Sequence, residues 1–83
     1  VHVKYFSWVR ERIGKSEETI QPPPEILTVA QLIGWLCMLS EEYAYAFENR
    51  HVIRAAIDRM HVGHDANISS AREIAFFPPM TGG

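Results

Sequence analysis

The group in this sequence best suited to chemistry is the carboxylate of Gly83, at the end of Phe76-Phe77-Pro78-Pro79-Met80-Thr81-Gly82-Gly83. At ordinary glycine usage of about 7%, a Gly-Gly end arises by chance in roughly one chain in two hundred. Gly82 and Gly83 carry no Cβ, so this backbone can lie in a channel too narrow for other residues and bring its carboxylate against a partner's reactive atoms. Pro78 and Pro79 fix φ and cannot continue a strand ladder, which carries the tail away from whatever precedes it. Extended, Pro79 to Gly83 reaches roughly 17 Å at about 3.4 Å per residue, enough to enter a pocket on another protein. The bland alternative is a frayed end or an expression remnant.

A carboxylate at neutral pH is a poor electrophile, so Gly83 must be activated from outside. The chain has no phosphate-cradling glycine loop with a following Lys and Ser/Thr, so ATP chemistry is not expected of it. His61, His64 and Asp65 have a spacing that could ligate a metal, but two imidazoles without a third strong ligand fall short of a zinc site, and no metal is expected. Cys37 follows Leu36 on an apolar helical stripe and reads as a small buried hydrophobe, with no basic residue in the sequence around it to activate the thiol. Glu41 and Glu42 are adjacent, which turns them about 100° apart on a helix, so they read as a solvated corner rather than an acid/base pair. Trp8 and Trp35 could line a cofactor pocket, yet one helix over a small sheet leaves little room for a cavity of about 300 Å³. No bound cofactor is expected.

Composition sets the frame. Eighty-three residues with 47% hydrophobic content fit one domain with a modest core. A net charge of −2 with eight scattered basic residues disfavours nucleic acid as a partner. No apolar run approaches membrane-spanning length. Cys37 is the single cysteine, which excludes an internal disulfide. With no secretory n-region or h-region near Val1, where an initiator methionine is either removed or not shown, a reducing, cytoplasmic setting is expected.

The elements that must hold out the tail can be read from periodicity. Val1–Phe6 alternates, with Val1, Val3 and Tyr5 on one face and His2, Lys4 and Phe6 on the other, as in a half-buried strand. Ser7 is expected to cap a short helix, Trp8–Ile13, that stops at Gly14. A second strand, Lys15–Gln21, ends at Pro22–Pro24, none of which can donate to a ladder. Thr28 and Gln31 form a capping box, with Leu27 and Leu32 at staple positions, and Val29, Leu32, Ile33, Leu36 and Leu39 follow helical spacing. Glu41–Glu48 reads as irregular or briefly helical, ending in a turn at Asn49 and Arg50. From His51 the period returns to two, with Ile53, Ala55 and Ile57 on one side and Val52, Arg54, Ala56 and Asp58 on the other, as in a third strand. Asp58 and Arg59 turn the chain into a short strand, Met60–Val62. A polar loop from Gly63 to Arg72 precedes a last strand, Glu73–Phe77, with Ile74 and Phe76 inward and Phe77 outward. The order predicts an α+β domain, a mixed sheet of about five strands with one long helix across one face, over 1–77, and a flexible tail over 78–83.

Together these segments resemble the ubiquitin-like β-grasp proteins, most closely the small, sulfur-carrier subunits of molybdopterin synthase. The likeness covers nearly the whole chain. Its most specific part is Ala75-Phe76-Phe77-Pro78-Pro79-Met80-Thr81-Gly82-Gly83; supporting it are Tyr5-Phe6 with Arg10-Glu11 and Gly14, Thr28-Val29 with Leu32, and Arg54-Ala55-Ala56-Ile57-Asp58. A bare Gly-Gly end also occurs in ubiquitin-like modifiers and in thiamine-pathway and tRNA-thiolation sulfur carriers; the preceding Phe-Phe-Pro-Pro separates them. The chain departs from the family in its Pro22–Pro24 run and at Ser70-Ala71-Arg72, where an Asp-Gly-Asp type turn is usual, so the last hairpin lacks a glycine for a φ > 0 position.

The resemblance implies that an E1-like adenylyltransferase uses ATP to make a Gly83 acyl-adenylate, which a sulfur donor protein converts to a thiocarboxylate. It implies insertion of Pro78, Pro79, Met80, Thr81, Gly82 and Gly83 into a large catalytic subunit within a heterotetramer, and transfer of sulfur to cyclic pyranopterin monophosphate to build the dithiolene of molybdopterin. The chain itself is then a sulfur-donating subunit with no active site of its own. Phe6 and Phe77, outward and level with each other if first and last strands pair, are expected to anchor the partner. A protein modifier joined through Gly83, or an interaction domain with an inert tail, are the competing readings.

Overall fold

The alternation at the start of the chain becomes β1 (His2–Tyr5), with Val3 and Tyr5 buried. A computed structural model describes residues 1–79. The chain turns out of β1 directly into α1 (Ser7–Ile13), which buries Val9 and Ile13 and ends at Gly14, φ 91°. Ser7 is not the cap. It lies inside the helix at φ 52°, and Phe6, extended at φ −125°, is the N-cap without any side-chain bond. The reason is that Phe6 already serves both elements: its amide donates to the Phe76 carbonyl at 3.1 Å and its carbonyl accepts from Val9 and Arg10.

β2 (Glu17–Thr19) is shorter than expected, although the Ile20 amide still donates to the Val1 carbonyl before the prolines end the pairing. α2 (Val29–Leu39) has the expected capping box: the Gln31 amide donates to Thr28 Oγ1 at 3.2 Å, while Gln31 Oε1 accepts from the amides of Thr28 and Leu27. Val29, Leu32, Ile33 and Leu36 are fully buried, whereas Leu39 is half exposed where the helix ends at Ser40. Leu27 also stays half exposed, and the Gln31 side chain holds the helix start through the Leu27 and Thr28 amides. Ser40 then caps α3 (Glu41–Ala46), and a 3-10 turn (Arg50–Val52) leads into β3 (Arg54–Ile57), β4 (Met60–Val62) and β5 (Glu73–Phe77).

The sheet order is β2-β1-β5-β3-β4, antiparallel except for the central parallel pair β1 and β5. The helices pack on the Val3, Tyr5, Ile74 and Phe76 side, where Tyr5 stacks on Phe76 at 6.3 Å and Phe47 meets Phe76 edge-on at 5.2 Å. The mixed sheet with a crossing helix is the expected α+β architecture. No helix among the described residues is long and apolar enough to cross a membrane.

The loop before β5 is not a hairpin. β4 and β5 lie on opposite sides of β3, so Gly63–Arg72 runs over the end of the sheet instead of reversing between neighbours. No residue of Ser70-Ala71-Arg72 needs positive φ; that conformation falls on Asp58 (φ 48°) and Arg59 (φ 72°), which turn β3 into β4. Asp58 Oδ1 accepts from the amides of Arg72 and Glu73 at 3.0 and 2.9 Å, and the Asp58 amide donates to the Glu73 carbonyl. One turn residue thus fixes the start of the strand that carries the tail.

Candidate functional site at the root of the tail

Because β1 and β5 run parallel with Tyr5 opposite Phe76, the end of β5 emerges beside the end of β1. Phe77 is the last residue of the ladder, opposite Arg54. Pro78 and Pro79 follow half-buried and outside any strand, as residues without an N–H must. Met80, Thr81, Gly82 and Gly83, the rest of the expected inserting tail, lie outside the described residues.

The face of the sheet away from the helices carries the expected aromatic pair. Phe6 continues the outward set of β1 and is 44% exposed; Phe77 is half-buried, with the His61 ring 5.2 Å from its own. Their neighbours follow from the register. Lys4, Ala75, Ala56 and His61 form one row across four strands, so two small side chains floor the centre of the face. Lys4 is tied to Glu73 at 3.3 Å and His2 to Glu17 at 3.0 Å. The arrangement offers an aromatic patch over a shallow floor beside the departing chain. Such a surface can dock and orient; among the described residues it holds no nucleophile with an adjacent base.

The other candidates separate. His61 packs on Phe77, whereas the His64 Nε2 bonds the Ile53 carbonyl at 2.7 Å; among the described residues no group of three or more His, Cys, Asp or Glu could hold a metal. Cys37 is half-buried against the core, but its surroundings are not free of basic groups: Arg50 donates to its Sγ at 3.8 Å, from thirteen residues away and so invisible to local sequence. Glu41 and Glu42 are exposed in the first turn of α3. Trp8 stacks under the Arg12 guanidinium, 4.6 Å from its ring, and Trp35 packs on the core. There is more concave space than expected, since Pro22–Pro24 stand off the sheet edge and, with Val1, Ile20 and Ile68, line an open groove of about 460 Å³. It lies at the opposite end of β1 from the tail, and no side chain lining it can act as an acid, base or metal ligand.

One polar cluster was missed from the sequence. Glu18 accepts hydrogen bonds from the phenols of Tyr5 (2.7 Å) and Tyr43 and from Lys15 Nζ (3.2 Å). Burial, then the Glu18 carboxylate, pushes the Tyr5 phenol far above its ordinary range; the same causes raise Tyr43. Burial alone would raise the Glu18 carboxyl, but the bonds from Tyr43, Tyr5 and Lys15 outweigh it and hold the group below its usual value. The available signal was alternation: Glu18 is opposite Val3, hence on the core side of β2. The cluster joins β1, β2 and α3.

A family model described as the ThiS family matches residues 3–83. The chain is 31% identical to a molybdopterin synthase sulfur carrier subunit of Escherichia coli strain K12, over 100% of this chain and 99% of that one. It is 30% identical to the molybdopterin synthase sulfur carrier subunit of Haemophilus influenzae, with the same coverage. In three dimensions it is similar to the crystal structure of small archaeal modifier protein 1 of Haloferax volcanii, with a TM-score of 0.71 and 18% identity over 95% of each chain, a likeness of fold.

Proposed function

Since the chain belongs to the ThiS family, we propose that it is the sulfur-carrier subunit of a molybdopterin synthase. The observation that carries this reading is that the family match runs through Gly83, so the terminal glycines belong to the matched unit. In this reading residues 1–77 are the body and 78–83 the reacting arm. The Gly83 carboxylate attacks the α-phosphorus of ATP on a partner adenylyltransferase, releasing pyrophosphate. Hydrosulfide delivered by a sulfur donor protein then displaces AMP from the acyl carbon, leaving a thiocarboxylate.

The thiocarboxylate sulfur is a softer nucleophile than the oxygen it replaces, which suits attack on carbon of cyclic pyranopterin monophosphate. The attack displaces an oxygen leaving group from that carbon, and hydrolysis of the resulting thioester leaves sulfur on the pterin and returns Gly83 as carboxylate. The body contributes no step of this chemistry. It holds the arm at a fixed exit beside Phe6 and Phe77, which dock on the large subunit, and the large subunit supplies positioning and charge stabilisation.

Intact mass spectrometry of the chain isolated from cells with the activating enzyme tests the reading: exchange of oxygen for sulfur at the terminus adds about 16 Da. A mass that never shifts, with conjugates of higher mass that vanish when Gly83 is deleted, favours a protein modifier instead.

A further inference from the structure

We propose that the hollow beside the tail root, between Arg54, His51 and His64, is a socket for a carboxylate side chain of the protein that docks on Phe77. The inference rests on the docking reading above and adds the chemistry of the partner's contact. The hollow, about 220 Å³, is lined by His51, Ile53, Arg54, Val62, Gly63 and His64. That is below the roughly 300 Å³ at which small-molecule pockets begin, and large enough for one inserted side chain.

Charge selects which side chain. Among the described residues Lys4, Arg12 and Lys15 are paired internally, with Glu73 (3.3 Å), Glu48 (3.4 Å) and Glu18 (3.2 Å), while Arg10, Arg50, Arg54, Arg59 and Arg72 have no carboxylate within 4 Å, and of these only Arg54 lines the hollow. Between residues 50 and 64 the sequence carries Arg50, Arg54, Arg59 and three histidines against a single acid, Asp58, whose Oδ1 is taken by the Arg72 and Glu73 amides. Asp65 sits nearby, its Oδ1 2.9 Å from where a Cβ on Gly63 would lie, without bridging to Arg54. The His64 ring is held at the wall of the hollow by its bond to the Ile53 carbonyl.

Position completes the case. Arg54 is the cross-strand partner of Phe77, so the unpaired guanidinium and the aromatic anchor belong to one patch. An arginine beside an aromatic anchor is the composition that carries binding energy at protein interfaces, and a charge at the edge of such a patch sets encounter rate and partner choice.

Titration of the large synthase subunit with wild-type, Arg54→Gln and Arg54→Glu chains, at ionic strengths of about 0.05 and about 0.3 M, tests the socket. We expect wild-type affinity to fall with salt, Arg54→Gln to bind about fivefold more weakly and Arg54→Glu about thirtyfold more weakly at low salt, with less salt dependence in both and unchanged thermal midpoints. Arg54→Glu binding within about twofold of wild type at low salt overturns the proposal. Phe77→Ala in the same titration keeps the two claims apart: weakened by Phe77→Ala but indifferent to Arg54→Glu, the docking face stands and the socket is wrong. If wild type does not bind the large subunit at all, both fail.

Discussion

Arg54 and Phe77 form the last cross-strand pair of the β3–β5 ladder, and the chain leaves the sheet at Pro78 immediately after it. The exit of the arm is therefore set by main-chain pairing in the middle of the sheet and not by a loop. Phe77 bears its ring on the face away from the core, against His61, so truncating it removes partly exposed aromatic surface without opening a cavity among the buried residues. We predict that Phe77→Ala weakens binding to the large subunit by tenfold or more, about 1.4 kcal/mol or above, while unfolding shifts by less than about 1 kcal/mol. Calorimetric titration beside thermal unfolding measures both, and unchanged affinity contradicts the docking role.

Glu18 makes stability sensitive to acid. Its carboxyl is held below the ordinary value when folded, so its contribution is fully present above the unfolded value and is lost as pH falls through the folded one. Glu18→Gln should cost about 1–2 kcal/mol at neutral pH and flatten the decline of stability below about pH 4.5. The Tyr5 phenol works at the other end: raised on folding, it favours the folded state below the ordinary phenol range and withdraws that support as pH climbs above it. Denaturant unfolding of both chains across pH reads the difference; equal slopes in acid contradict it.

Asp58 and Arg59 occupy left-handed conformations that side chains adopt at a cost. Arg59→Gly should stabilise the fold by about 0.5–1 kcal/mol, whereas Asp58→Ala, which strips the acceptor from two β5 amides, should destabilise it by about 1–3 kcal/mol. Asp58→Asn retains both the acceptor and the tolerance of positive φ and should stay near wild type. Hydrogen exchange at the Arg72 and Glu73 amides, faster in Asp58→Ala alone, checks the mechanism.

At the start of α2, Thr28→Ala removes the hydroxyl that accepts from the Gln31 amide and should cost about 1 kcal/mol in urea unfolding. A loss no greater than that of an exposed control substitution argues that Gln31 alone holds the helix start.

Much of this was legible in the sequence because it depends on neighbours. The alternation of Val3 and Tyr5, the Thr28–Gln31 box, the Gly14 stop and the boundaries of β4 and β5 are all short-range patterns, and each appears where the residues put it. The outward emergence of Phe6 and Phe77 followed once first and last strands were taken to pair. What escaped depends on contacts between distant segments. Ser7 has the local signature of a cap, but Phe76 fixes Phe6 in that position from the far end of the chain. Read locally, the loop before β5 is a hairpin in need of a glycine, whereas Asp58 supplies the start of β5 from another turn. The Glu18 cluster gathers residues from positions 5, 15, 18 and 43, a meeting no local window contains.

In the proposed function Gly83 carries the sulfur and the body only presents it. The most direct test charges the chain with sulfur at the terminus, mixes it with the large subunit and cyclic pyranopterin monophosphate, and measures dithiolene formed per chain consumed, beside a chain lacking Gly82 and Gly83 put through the same activation. Dithiolene from the full chain and none from the shortened one is the predicted result; comparable dithiolene from both contradicts the account.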